Sequence, residues 1–182
     1  MPRIQPIFPQ PPYIVLDTET TGLDGQAEIV QLTLVAHDGL VLFDQLLKPL
    51  RGIPQAASAV HGITPEKVAD CPAFSEVMAE VEQWFPLYGR RLVAYNAEFD
   101  SRILSQAYRH LGIHPPFLTW FCAMLAYADH VGEWNAAKGN NRWWKLEQAC
   151  AREGIELTGA HNSLHDAQAT LALIRKLTDG QP

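Results

Sequence analysis

The stretch YIVLDTETTGLDG, residues 13–25, places two carboxylates, Asp17 and Glu19, at the end of an apolar run that reads as a buried strand. Residues i and i+2 of a strand share one face about 6.6 Å apart, so the two charges project side by side. Like charges so placed repel. A bridging divalent cation makes the pair tolerable, because hard carboxylate oxygens are the ligands magnesium takes. A solvated strand end with acidic turn residues is the plainer reading, and this stretch alone leaves both open.

Two more β-like segments follow, 28–36 and 40–48, separated by the turn sequences TTGLDG and HDG. The three together form a strand meander. Thr64 before Pro65 and Glu66 has the pattern of an N-cap with proline at N1, which predicts a short helix ending at Pro72. From about Ser75, Val77, Val81, Trp84 and Phe85 recur at helical spacing. RLVAYN, 91–96, reads as a buried fourth strand, and AEFDSRILSQAYRHLG, 97–112, as an amphipathic helix closed by Gly112. A fifth strand is expected at 117–121 and a helix at 123–130. A loop should follow through GEWNAAKGNNR, then helices near 143–153 and 163–177. The fold class is therefore α/β, a mixed sheet that begins as an antiparallel meander.

The chain of 182 residues is the size of one domain. With 47% hydrophobic and 19% charged residues it has the composition of a globular protein. Five prolines in MPRIQPIFPQPP mark 1–12 as an extended tail, leaving 13–178 as the domain. No run approaches the ~20 apolar residues that span a bilayer. The three cysteines are widely spaced and form no C-x-x-C pair, which argues against a disulfide framework or a zinc ribbon and favours a reducing cytoplasm. The formal charge of −6 argues only weakly against a nucleic-acid partner, since two divalent cations would bring it to about −2.

Asp100 lies four residues after Asn96, in the first turn of the helix leaving the fourth strand. That is the sheet edge where α/β proteins place ligands, although a charge favourable to the helix dipole belongs there too. In HNSLHDAQATLALIRKL, His161 and Asp166 are five apart and would lie on different faces of one continuous helix. They converge only if His161 precedes the helix. Ser163 as N-cap with Asp166 at N3 gives that register, and Asp166 can then serve a cap, a metal or both.

The three segments in this order resemble the DEDDh (DnaQ-like) family of 3′→5′ exonucleases, the group that includes the proofreading epsilon subunit of bacterial DNA polymerase III. DTETTGL is similar to its first motif, NAEFD to its second and HNSLHDA to its third, while VHGIT at 60–64 matches a further family signature. The likeness runs from about Tyr13 to Leu177. It implies a ribonuclease H-like exonuclease fold with a mixed five-stranded sheet flanked by helices. It also implies Asp17, Glu19, Asp100 and Asp166 as ligands of two divalent cations, Mg²⁺ or Mn²⁺, and His161 as general base. Thr18, Thr20, Gly22, Leu23, His61 and Asn96 are its substrate-side positions. Ser163 stands where the family usually has alanine.

The activity so implied is release of nucleoside 5′-monophosphates from the 3′ end of DNA, in proofreading or repair, with a polymerase or repair protein as possible partner. RNA trimming by the same chemistry is one alternative, since discrimination rests on how the terminal 2′-OH is received. A binding module that has lost catalysis is the other. His165 is expected at the surface, His61 either at substrate or capping carbonyls, and Leu23 either as a wedge against a base or as a buried turn residue. Trp143 and Trp144, near Lys138, Arg142 and Lys145, are read as core or as a stacking surface for a single strand, with one of the pair expected to be exposed.

Overall fold

The computed structural model describes residues 4–5, 9–157, 159 and 161–179. Its strands are β1 Ile4–Gln5, β2 Ile14–Thr20, β3 Ile29–Ala36, β4 Val41–Leu46, β5 Arg91–Ala94 and β6 Thr119–Cys122. They form one sheet in the order β1-β6-β5-β2-β3-β4. β2, β3 and β4 pair antiparallel, whereas β2–β5, β5–β6 and β6–β1 pair parallel. The expected mixed five-stranded sheet is present, and the two-residue β1 extends it from within the proline-rich segment.

The helices are α1 Gln55–His61, α2 Phe74–Glu82, α3 Trp84–Leu87, α4 Ala97–His110, α5 Ala123–Val131, α6 Leu146–Glu153 and α7 Ser163–Asp179. The period of two along β2 sorts its side chains between two cores. Ile14 and Leu16 pack with Val77, Phe85, Ile103 and Tyr108 of the α2–α4 layer. Tyr13 and Val15 pack with Tyr127, Ala149, Leu171 and Ile174 of the α5–α7 layer. Each valine, leucine, isoleucine or phenylalanine fully withdrawn from water here contributes about 1.5–3 kcal/mol.

Three local expectations are corrected. The helix expected between Thr64 and Pro72 is a chain of turns, because Lys67, Ala69 and Cys71 donate their N–H groups three residues back rather than four. The short helix instead lies earlier, at α1, whose C-cap Gly62 sits at φ 70°. Trp143 and Trp144 do not open a helix. They lie outside regular secondary structure, just before α6, whose N-cap is Lys145. The expected loop before them carries a small hairpin, β7 Trp134–Asn135 with β8 Asn140–Asn141.

Candidate active site

The same period of two builds the site. Asp17 and Glu19 continue the face of Tyr13 and Val15, toward α7, so they meet Asp166 from that helix. One ligand atom from each of Asp17, Glu19 and Asp166 lies within 4.8 Å of the others. Thr18 continues the opposite face, toward α4, and its hydroxyl donates to Asp100 Oδ1 at 2.8 Å. Asp100 is thus 3% exposed and comes to the cluster from the other layer, across the end of β2. It stands beside the compact three-carboxylate group rather than within it.

Burial is the first cause of the site's electrostatics. It raises Asp17 well above the usual carboxylate range, with Asp100, Asp166 and Glu19 adding to the effect. Glu19 is pushed up to about 7 by burial and then by Asp166 and Asp100. Burial also raises Asp100 to about 7, against the opposing effect of the Thr18 hydroxyl. Asp166 is raised by burial and partly restrained by the N–H of His161. Concentrated negative charge of this kind is what a divalent cation relieves.

Asp166 itself supplies the test of fit. Its Oδ2 accepts the backbone N–H of His161 at 3.3 Å, while its buried Oδ1 has no hydrogen-bond partner. A buried carboxylate oxygen rarely lacks a partner, and this one belongs to the group whose ligand atoms converge. The donor set is all oxygen, which suits Mg²⁺ or Mn²⁺.

The helix cap differs by one residue from the expected register. Asn162 caps α7, its Oδ1 accepting the N–H groups of Leu164 at 3.2 Å and His165 at 3.3 Å. Ser163 is instead buried, and its hydroxyl lies 2.6 Å from that of Thr33. His161 precedes the helix as expected, at φ 64°, with its imidazole 53% exposed and 3.9 Å from Glu147. His165 is turned away, its Nδ1 3.3 Å from the carbonyl of Gly159.

The positions expected on the substrate side divide clearly. The side chain of Thr18 is committed to Asp100. That of Thr20 donates to Gly22 O at 2.8 Å and is buried. Leu23 is 79% exposed, which removes the buried-leucine reading of the turn. Its carbonyl and that of Asp24 accept the guanidinium of Arg102, at 3.0 and 3.2 Å, so the turn is fastened to α4. His61 joins α1 to β2: its Nδ1 accepts the Ile63 N–H at 3.0 Å, leaving Nε2–H to donate to Thr20 O at 3.3 Å. Burial lowers its pKa, which keeps this neutral tautomer. Asn96 occupies the N-cap of α4 without a side-chain cap bond and lines the cleft that leads to Asp166.

Arg102 and Gln106 were not evident as site-supporting residues, although their i, i+4 spacing puts them on one face of α4. Gln31 and Thr33 were missed too. Polar residues at alternate positions of the apolar strand IVQLTLVA were the available signal, since they share the face of Asp17 and Glu19.

A ribonuclease H-like sheet with partly buried carboxylates converging at the end of its central strand is an architecture able to hold a divalent cation. The chain belongs to the exonuclease family: the RNase_T family model matches residues 14–174. It is similar to the uncharacterized exonuclease CP81 of Escherichia phage 186, 38% identical over 92% of this chain and 88% of that protein. It is 28% identical to the PolC-type DNA polymerase III of Staphylococcus aureus, over 91% of this chain but 11% of the polymerase. Among solved structures, the nuclease domain of 3′hExo, a DEDDh family member bound to rAMP, superimposes with a TM-score of 0.71 at 20% identity, covering 92% of both chains.

Proposed function

We propose that this exonuclease works in the 3′→5′ direction, is dependent on divalent cations, and removes nucleoside 5′-monophosphates from single-stranded or frayed DNA ends. The observation that carries the reading is the convergence of Asp17, Glu19 and Asp166 with a buried Asp166 oxygen left unpartnered. Asp100, completing the set from α4, gives four carboxylates for two cations, Mg²⁺ or Mn²⁺. When bound, such cations relieve charge on the phosphate and acidify the attacking water. The exposed imidazole of His161 accepts a proton from the attacking water. Asp166, by holding the His161 N–H, keeps the residue at the site. The turn 20–25 receives the terminal nucleotide, with Leu23 against its base and Gly22 allowing close backbone approach.

The likeness to a DNA polymerase supports DNA as substrate and proofreading or repair as the setting, with a polymerase or repair protein as partner. RNA trimming is the second reading, favoured by the rAMP-bound structural neighbour. We assign the catalytic unit to 13–178, with β1 of the proline-rich 1–12 extending its sheet, and the cytoplasm as its location. No helix among the described residues is long and apolar enough to cross a membrane. The test is incubation with 5′-labelled single-stranded DNA and RNA of one sequence, with Mg²⁺, Mn²⁺ or chelator. A cation-dependent ladder shortening from the 3′ end is expected, stronger on DNA. No cleavage of either would leave the chain a nucleic-acid-binding module.

A further inference from the structure

A cleft of about 450 Å³ opens from His161 and Asp166 on the side of α5 and α6. None of the residues of the turn 20–25 lines it. If that turn holds the terminal nucleotide, the cleft lies where the rest of the strand must leave the carboxylates. Its rim carries Trp143 and Lys145, and its walls include Tyr95, Met124 and Leu157.

The two adjacent tryptophans have separate tasks. Both line the cleft, but their surroundings differ. Trp144 is half-buried. The guanidinium of Arg142 lies 4.4 Å from the centre of its ring and that of Arg152 5.2 Å, Tyr127 meets it edge-on at 6.4 Å, and its carbonyl accepts the Tyr95 hydroxyl at 2.7 Å. Arg142 is itself held by Glu133 at 3.0 Å. Trp144 is therefore an anchor. Trp143, fixed through its neighbour's backbone, is 51% exposed at the cleft. An aromatic face presented to solvent from clamped backbone is already ordered for stacking, and every base offers a matching face.

Charge favours the same occupant. Lys145 is exposed and forms no salt bridge among the described residues. Glu147, the cleft's other carboxylate besides Asp166, is turned toward His161. An ammonium beside a free aromatic face, leading away from a hydrolytic centre, matches a base and its phosphate.

We infer that Trp143 and Lys145 form a subsite for a nucleotide on the 5′ side of the scissile bond, Trp143 stacking on its base and Lys145 meeting its phosphate. This rests on the exonuclease reading above and extends it to how the enzyme grips the undigested strand. Such a subsite contributes to binding of a polymer and nothing to a substrate that lacks upstream nucleotides.

The test compares a long oligothymidylate with thymidine 5′-p-nitrophenyl phosphate, in which nitrophenolate replaces the upstream strand as leaving group. Trp143→Ala is expected to raise KM on the oligomer about tenfold, the usual order for one lost base stack, with kcat retained. Both parameters on the nitrophenyl ester should stay at wild-type values, and Trp143→Phe should recover most of the loss. Lys145→Ala should reduce the salt dependence of log KM on the oligomer by about 0.7, the value for one single-strand phosphate contact. If Trp143→Ala affects both substrates equally, or neither, the subsite is wrong while the exonuclease reading stands. If the wild-type protein hydrolyses neither substrate, the exonuclease reading fails and the subsite falls with it.

Discussion

His161 gives its backbone N–H to Asp166 Oδ2 at 3.3 Å, so the proposed base and a proposed cation ligand are fixed to one another by main chain rather than by imidazole. The ring is left to the cleft. Because His161 sits at φ 64°, where asparagine is better tolerated than most residues, His161→Asn removes the imidazole without adding strain. It should lower kcat by about 10²–10⁴-fold with little change in Tm. His165→Ala should retain most activity, since that ring is directed at Gly159. Equal losses in steady-state assays of the two variants would contradict the assignment.

Asp17→Asn should remove cation-dependent cleavage by at least about 10²–10³-fold. The folded protein should not suffer, because burial and three neighbouring carboxylates already oppose the charge of Asp17. Thermal unfolding in chelator is the check. The variant's Tm should equal or exceed that of the wild type, and Mg²⁺ should stabilise it less.

Glu19 and Asp100 are each pushed up to about 7, above the value near 4 of an unfolded carboxylate. The metal-free folded state therefore binds these protons more tightly than the unfolded chain does. Their contribution to stability is complete below about pH 4 and is lost as pH rises through about 7. In chelator, Tm should fall between about pH 4 and pH 7, and saturating Mg²⁺ should flatten the profile by compensating the ionised forms. A chelated protein whose Tm is unchanged across this range would contradict the electrostatic account.

Gly22 is not in the positive-φ region, and a Cβ added there meets nothing within 4 Å. The fold alone does not require glycine at this position. Gly22→Ala should leave Tm within the effect of an ordinary surface change, about 0.5 kcal/mol. If the terminal nucleotide approaches this backbone, KM should rise about tenfold, a cost near 1.4 kcal/mol. An unchanged KM would move the nucleotide away from the turn.

Much of this arrangement was legible from local pattern. The apolar run before Asp17, the strand–turn–helix around Asn96 and the placement of His161 ahead of its helix follow from periodicity and from which residues end or begin an element. Where local signals competed, reading failed. Thr64-Pro65-Glu66 has the composition of a helix start, yet the chain there turns every three residues, and α1 forms one segment earlier. Asn162 and Ser163 are both good caps. Burial of Ser163 against Thr33 of a strand 130 residues away gives the cap to Asn162.

Which carboxylates share a face, and the order in which the three segments arrive, follow from residue order alone, because side-chain direction along a strand or helix is a local consequence of backbone geometry. It took long-range packing to commit Thr18 to Asp100, to turn Leu23 to solvent from a turn fastened by Arg102, and to leave Trp143 free while Trp144 is clamped. These outcomes depend on contacts between residues far apart in the chain. Such contacts form only when both layers close on the sheet, and no local period encodes which partner a polar side chain will then meet.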